Sequence, residues 1–598
     1  MNHATFAGNL EEEYQVAILI KEKYFKPDKI KNYYVDPLVK LGVALDQLIA
    51  FDLHYPNDKV TATQAKKYLS YLLPALVKLG ITTVFVADAA YFKVLTGERK
   101  AEQHTGYVLP CSVKGFTHIS ICYGLNYGVL LHNPNQIHKI DMSIETLANH
   151  INGTLVPLGE DVLLDPQYYQ NTDLEAFQLA LDGLHNKPTI TCDVETYGLK
   201  LNEGGLGSIA FAWNERSGLS AHIKHKAYDT SKIHTLIKRF FERYTGKVIY
   251  HNATFDIKQI IFNCFMKHPL DYRGMLHGLD VMCKNIHDTK IIAYLATNTT
   301  AGNELGLKVL AQPYMGNWGI DVTDISKIPV DELLIYNVED CVATYYVFNK
   351  YYPMMLKDDQ LGIYEEIMLP SIKLIVQMEL MGMPIDMGQV KETEAYLLNL
   401  SNQNLDIVLD SKYTKDAIHT IQVNALADIN SKLKTKVHGM DKVNDMVFNP
   451  SSPNQLQVLL YEVLQLPEID FTPTKNPATG AKILAKLINH TKDDEIKELL
   501  ESLINLSQVD KILSTFIPAF KESFKKGGWH YLHGNFNLNG TLSGRMSSSK
   551  INLQNLPSGG SKYGKAVKSC FKPPKGYLFV GADFSSLNLG EQYRNVLC

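Results

Sequence analysis

Apolar positions recur with two periods along this chain, and the order in which those periods alternate predicts its architecture. Residues 68–79 carry apolar side chains at helical spacing and lead through Gly80 into 82–87, a continuous apolar strand. The stretch 88–95 reads as a helix closed by Thr96 and Gly97, with Asp88 better placed as its N-cap than as a site carboxylate. Strands are expected at 115–123 and 127–132, and strands interleaved with helices predict a small α/β domain over residues 1–180. The pattern loosens at 158–172, where a boundary is expected, and a helix follows at 173–184.

A second alternation begins at Thr189–Thr196, a run of β-favouring residues that enters two acids. Residues 207–213 alternate like its hairpin partner, and 230–244 place Ile233, Leu236, Ile237, Phe240 and Phe241 on one helical face. The apolar strand 247–251 breaks at Asn252 into a helix whose first turn holds Asp256, where the helix dipole favours a negative charge. A later helix, 331–348, bears Tyr336 and Asp340, and a separation of four sets both on one face. From Glu366 the pattern becomes helical throughout, with an apolar-striped helix ended by Gly382 and long helices to about 434.

Composition narrows this picture little. Apolar content of 45% and charged content of 20% fit a globular protein with several cores, and 598 residues allow about four domains at ~150 each. A net charge of −4 neither favours nor excludes nucleic acid, because phosphate binding needs a local basic groove. No apolar run approaches a membrane span, the start is not a signal peptide, and the eight cysteines show no C-x-x-C pair. A cytoplasmic protein with reduced cysteines is therefore expected.

The chemistry is carried by spacing. Asp193 and Glu195, two apart in a strand, point to the same side, and such carboxylates repel unless a cation lies between them. Alone, the pair is better read as a solvated strand end than as a Mg²⁺ or Mn²⁺ site. Followed in order by Asn252-Ala-Thr-Phe255-Asp256 and by Tyr336-x-x-x-Asp340, it resembles the three motifs of the DnaQ-like, RNase H-like exonucleases that proofread for DNA polymerases. Residues 287–295 and 303–310 are similar to the linking helices of that domain in family A DNA polymerases, with Asp288 expected as a helix cap. The resemblance implies a 3′–5′ exonuclease domain over 187–352. In it Asp193, Glu195, Asp256 and Asp340 hold two divalent cations ~3.5–4 Å apart, one generating hydroxide and one stabilising the leaving 3′ oxygen. Tyr336 orients the attacking water, and Asn252 and Phe255 contact the DNA end.

A second resemblance starts beyond 362. Residues 368–386 and 448–456 are similar to the thumb of family A DNA polymerases, placing the thumb at 362–530, with Lys511 near the primer backbone. The segment Thr541-Leu-Ser543-Gly-Arg545-Met-Ser547-Ser-Ser549, followed by Asn552-Leu-Gln554-Asn555-Leu-Pro557, closely resembles the first palm motif of that family. Small residues let the backbone approach phosphates, Arg545 offers a bidentate fork, and the amides of Gln554 and Asn555 reach for sugar and base edges. Residues 577–583 read as a buried-type strand ending in Asp583, similar to the metal-binding aspartate of polymerase motif A. The palm is thus expected at 531–587. There the match stops, and 588–598 read as a tail that departs from the family.

The overall expectation is an α/β and α multidomain protein: an N-terminal α/β domain, an RNase H-like exonuclease, a helical thumb and an incomplete palm. One palm aspartate does not hold two Mg²⁺ ions, so this polypeptide alone is expected to trim DNA rather than polymerise it. The C-terminal strand is expected to lack partners unless a separate polymerase polypeptide completes it. An interrupted or split gene, of bacteriophage type, fits that organisation. Two other readings stay open: a free-standing 3′–5′ exonuclease, and a non-catalytic DNA-binding or assembly subunit of a split polymerase.

Overall fold

The computed structural model describes residues 2–7, 13–56, 58–160, 162–163, 165–297, 304–318, 324–433, 437–472, 475–541, 544–558 and 560–582. Ser543, Asp583 and the departing tail 588–598 lie outside them, as does Asn303. The chain forms two compact units.

The first unit contains two six-stranded sheets. The N-terminal sheet uses β1 (His3–Thr5), β2 (Val16–Lys21), β3 (Leu48–Leu53), β4 (Thr83–Ala87), β5 (Val108–Pro110) and β6 (Ser120–Tyr123), ordered β1-β3-β2-β4-β6-β5. The four inner strands are parallel and the two edges antiparallel. Fully buried runs such as Val16–Ile20 and Thr83–Ala87 follow from that, since helices cover parallel strands on both faces. Helix α1 (Ala62–Lys78) starts in a capping box made by Thr61 and Gln64. Helix α2 (Ala89–Thr96) is capped by Asp88, whose carboxylate accepts from Ala90 and Tyr91 N–H, and it ends at a left-handed Gly97. Two expectations differ from the structure. Residues 127–131 form a 3₁₀ turn rather than a strand, because the Asn126 side chain caps Gly128 N–H, and within 115–123 only Ser120–Tyr123 pairs.

The second sheet is built from β7 (Asp165–Tyr169), β8 (Thr189–Thr196), β9 (Leu206–Ala212), β10 (Ser217–His222), β11 (Lys247–Tyr250) and β12 (Ile286–Asp288). Its order is β12-β11-β8-β9-β10-β7, with an antiparallel β8–β9–β10 meander flanked by parallel neighbours. β7 lies in the stretch expected to be a loose boundary, yet all five of its residues pair with β10. Helices α3 (Leu174–Leu184), α4 (Ser231–Arg243) and α5 (Ala253–Ile260) lie between these strands in the chain, and α6 (Thr289–Thr297) and α7 (Leu307–Met315) follow β12. The long helix α8 (Val330–Lys357), begun by Pro329 with Asp331 and Glu332 in its first turn, buries Val338, Cys341 and Val342 against Ala210 and Ala212 of β9.

The second unit is mainly helical, with α9 (Met387–Asp410), α10 (Lys412–Ser431) and α11 (Asp494–Lys511) as its longest elements. It also holds a small sheet of Met383–Ile385, Phe524–Lys526 and Trp529–Leu532, and a hairpin of Asn535–Asn537 with Ser547–Ser549. Residues 577–582, read from sequence as a buried strand, form no strand, and Leu578 and Val580 are 88% and 94% exposed. A strand needs a neighbour for its backbone groups, and none is described for these residues. Among the described residues no helix is long and apolar enough to cross a membrane.

Candidate active site

The site is assembled at the end of β8. Period-two alternation sends Asp193 and Glu195 to one face, and the antiparallel register sets them opposite Ala210 and Ser208 of β9. Helix α8 delivers Asp340 to the same place. Carboxylate oxygens of Asp193, Glu195 and Asp340 lie within 4.8 Å of one another. Asp340 is buried, whereas Asp193 and Glu195 keep partial exposure, so the cluster is open to one side. Asp256, expected as a fourth member, is buried in the first turn of α5 and accepts the Val194 N–H at 3.1 Å. Its carboxylate fastens α5 to β8 and adds its charge behind Asp193.

Two side chains that the sequence reading missed hold the triad in shape, and a third, Lys308, adds charge beside it. Asn337 donates its amide to Asp193 Oδ2 at 2.6 Å and accepts from the Ser208 hydroxyl at 2.8 Å. Trp318 donates its indole N–H to Asp340 Oδ1 at 2.8 Å. Lys308, in the first turn of α7, lies 5.4 Å from the centre of the Tyr336 ring, and that phenol hydrogen-bonds Asp340. Asn337 was findable, since it precedes Asp340 by three and shares its helix face. Trp318 and Lys308 arrive from other segments, and no spacing announces them.

Crowding of like charges shows in the protonation equilibria. Burial, then the charges of Asp256, Asp340 and Glu195, push the Asp193 carboxyl well above its ordinary range. Burial and Asp340 raise Glu195 to about 8, against the pull of Lys308. Burial raises Asp340 to about 6, opposed by its bonds from Trp318 and Tyr336 and by Lys308. Burial lifts the Tyr336 phenol out of the titratable range, so it stays a hydrogen-bond donor. Carboxylates that neutrality leaves partly protonated, facing each other through hard oxygens, form a donor set that fits a hard divalent cation.

The start of α5 borders the cluster. Asn252 breaks the strand in a left-handed conformation, φ 74°, which asparagine tolerates better than most residues. Its side-chain oxygen accepts from Lys290 Nζ at 3.4 Å, and Phe255 one turn on is half-buried. Asp288 is a cap twice over. Its carboxylate accepts the N–H groups of Asn252 and Ala253 at the start of α5 and those of Lys290 and Ile291 at the start of α6.

The remaining expected DNA contacts fall in two groups. Thr541 and Arg545 belong to the first unit, where Tyr294 donates its hydroxyl to Thr541 O at 2.9 Å and the Thr541 hydroxyl donates to Arg545 O. Arg545 is exposed. In the second unit, Lys511 ends α11 and is exposed, Ser547 opens the hairpin's second strand, and Gln554 and Asn555 are exposed in a 3₁₀ turn. The Asn552 side-chain oxygen caps that turn by accepting Asn555 N–H, which commits part of its polar edge to local structure.

Comparison with known proteins coincides with this geometry. Residues 168–355 match the model of a 3′–5′ exonuclease domain, and 420–590 match that of DNA polymerase family A. The chain carries a 3′–5′ exonuclease domain followed by a family A DNA polymerase segment. DNA polymerase I of Borreliella burgdorferi is 27% identical over 423 residues, covering 68% of this chain and 39% of that protein. The DNA polymerase of Escherichia phage T5 is 22% identical over 559 residues, covering 89% of this chain and 59% of its own length. DNA polymerase I of Caldicellulosiruptor bescii is 25% identical over 343 residues, covering 56% and 33%. The chain thus spans less than two thirds of the length of each of these relatives. The exonuclease match contains all of Asp193, Glu195, Asp256, Tyr336 and Asp340, and begins within β7. The polymerase match runs to 590, three residues past the point at which the sequence reading ended it.

Proposed function

We propose that the chain hydrolyses the 3′-terminal phosphodiester of DNA through the site at the end of β8. The observation that carries this reading is the convergence of Asp193, Glu195 and Asp340 within 4.8 Å beside Tyr336, inside the segment that matches an exonuclease model. Asp193, Glu195, Asp256 and Asp340 would hold Mg²⁺ or Mn²⁺, in a pair of ions as the family resemblance implies. When bound, the cation supplies positive charge at the phosphate being cleaved. Tyr336, held as a neutral phenol against Asp340, is placed to orient water for attack. Lys308 adds a fixed positive charge beside the same carboxylates. Asn252 and Phe255, at the start of α5, are positioned to take the terminal nucleotide by polar and stacking contact. Lys511, Thr541, Ser543, Arg545, Ser547, Asn552, Gln554 and Asn555 are assigned to the DNA backbone and bases, with Asp583 the polymerase-side metal ligand. This reading places the chain in DNA replication, with primer–template DNA and a single-stranded 3′ end as its partners.

The test is degradation of 3′-labelled single-stranded DNA with Mg²⁺, comparing wild type with the Asp193→Ala/Glu195→Ala double variant. We expect the wild type to release nucleoside 5′-monophosphates and the variant to lose at least ~10³-fold in rate. Equal degradation by both would sink the assignment.

A further inference from the structure

On the first sheet, away from the carboxylate site, α1, α2 and residues 112–116 enclose a groove of about 960 Å³. It is lined by Leu69 and Leu73 of α1, both buried, and by the partly exposed Val60, Val94 of α2 and Val113. Lys66 and Lys93, both exposed, stand at its rim. Among the described residues that line it there is no Asp or Glu. The surrounding chain is equally free of acids: none occurs in 59–87, 89–97 or 105–140, although the whole protein is acidic by 4 charges. The acids nearest in sequence are committed elsewhere. Asp88 caps α2 and accepts from Tyr55, Asp58 pairs with Lys21 and Lys23, and Glu98 pairs with His104.

An aliphatic trough with a positive rim and no opposing charge is complementary to one kind of surface. We infer that this groove docks an acidic amphipathic helix of a partner protein, with apolar side chains seated against Val60, Val94 and Val113 and carboxylates paired with Lys66 and Lys93. Helix-in-groove recognition uses such spacing of apolar anchors, and rim charges set partner choice and encounter rate. Single-stranded nucleic acid is a poorer fit. It needs several aromatic faces to stack on and a track of cations, whereas this lining offers one ring, Phe116, and two lysines.

The test uses the full chain and two fluorescent three-turn peptides that share a leucine face, one with glutamate on the polar face and one with lysine. The Glu peptide is expected to bind, with hydrogen-exchange protection gained in α1 and α2, and the Lys peptide to bind at least about tenfold more weakly. Lys66→Glu/Lys93→Glu, two exposed changes checked by circular dichroism, should reverse that preference. Val113→Arg should weaken both peptides. The inference is overturned if the two peptides bind alike, if neither binds, or if charge reversal leaves the preference intact. It is equally overturned if a single-stranded oligonucleotide displaces the peptide from α1 and α2, or if charge reversal abolishes self-association instead, which would make the occupant a second copy of this chain.

Discussion

At the scale of single residues, the site depends on groups that touch the carboxylates as much as on the carboxylates themselves. Asn337 fixes Asp193 through one hydrogen bond and is itself fixed by Ser208. Removing such support commonly costs about 10–100-fold in metal affinity or activity. Asn337→Ala should therefore weaken Mn²⁺ binding by that order, read by calorimetry, while leaving the folded content unchanged. Protonation gives a second handle. Without a cation, Glu195 keeps its proton up to about 8, against an ordinary 4.5. The native protein then holds a proton that the unfolded chain has released, so its stability declines as pH rises through that window. Melting temperatures in EDTA should fall between about pH 5 and 8, Mn²⁺ should offset the fall, and Glu195→Gln should lessen it. Asp193, Glu195 and Asp340 were legible in the sequence because they lie in ordered motifs that resemble those of a known exonuclease family, while periodicity showed only which side chains share a face of one element. Trp318 and Lys308 were not, because what brings them to the site is tertiary packing of separate segments.

At the scale of elements, α5 and α6 share one capping group. Asp288 satisfies four backbone N–H donors at the starts of both helices, and α5 carries Asp256 and Asn252. Losing a helix cap costs about 0.5–2 kcal/mol, and here two are lost together. Asp288→Ala should raise hydrogen exchange in Ala253–Ile260 and Thr289–Thr297 together and lower nuclease activity, although this side chain is outside the triad. Local exchange confined to one helix would contradict the shared cap. The sequence announced Asp288 as a cap because it precedes a helical run, but its second helix begins 35 residues earlier in the chain, beyond any local pattern. One misreading has a local origin instead. Residues 127–132 look strand-like by composition, and a side-chain cap from Asn126 curls them into a turn instead.

At the scale of the whole molecule, the strongest legible feature was the succession of architectures, from α/β through an exonuclease-like sheet to a helical unit. What stayed hidden was how the first two sheets divide the chain between them, because the polar run 158–172 gives no hint that part of it is strand. That run supplies β7, whose five residues pair with β10 from Ser217 to Ala221, all of that strand but its last residue. The consequence concerns where the protein is cut. A polypeptide begun at Lys187, as the motif positions alone would suggest, leaves the backbone donors and acceptors of β10 bare along one side, a template for pairing with a second molecule. It should self-associate in sedimentation experiments at concentrations where a polypeptide begun a few residues before Asp165 remains monomeric, with both retaining every carboxylate of the site. The five residues that look like linker are the sheet's own edge strand, and Pro166 within it, which has no N–H to offer, blunts that edge.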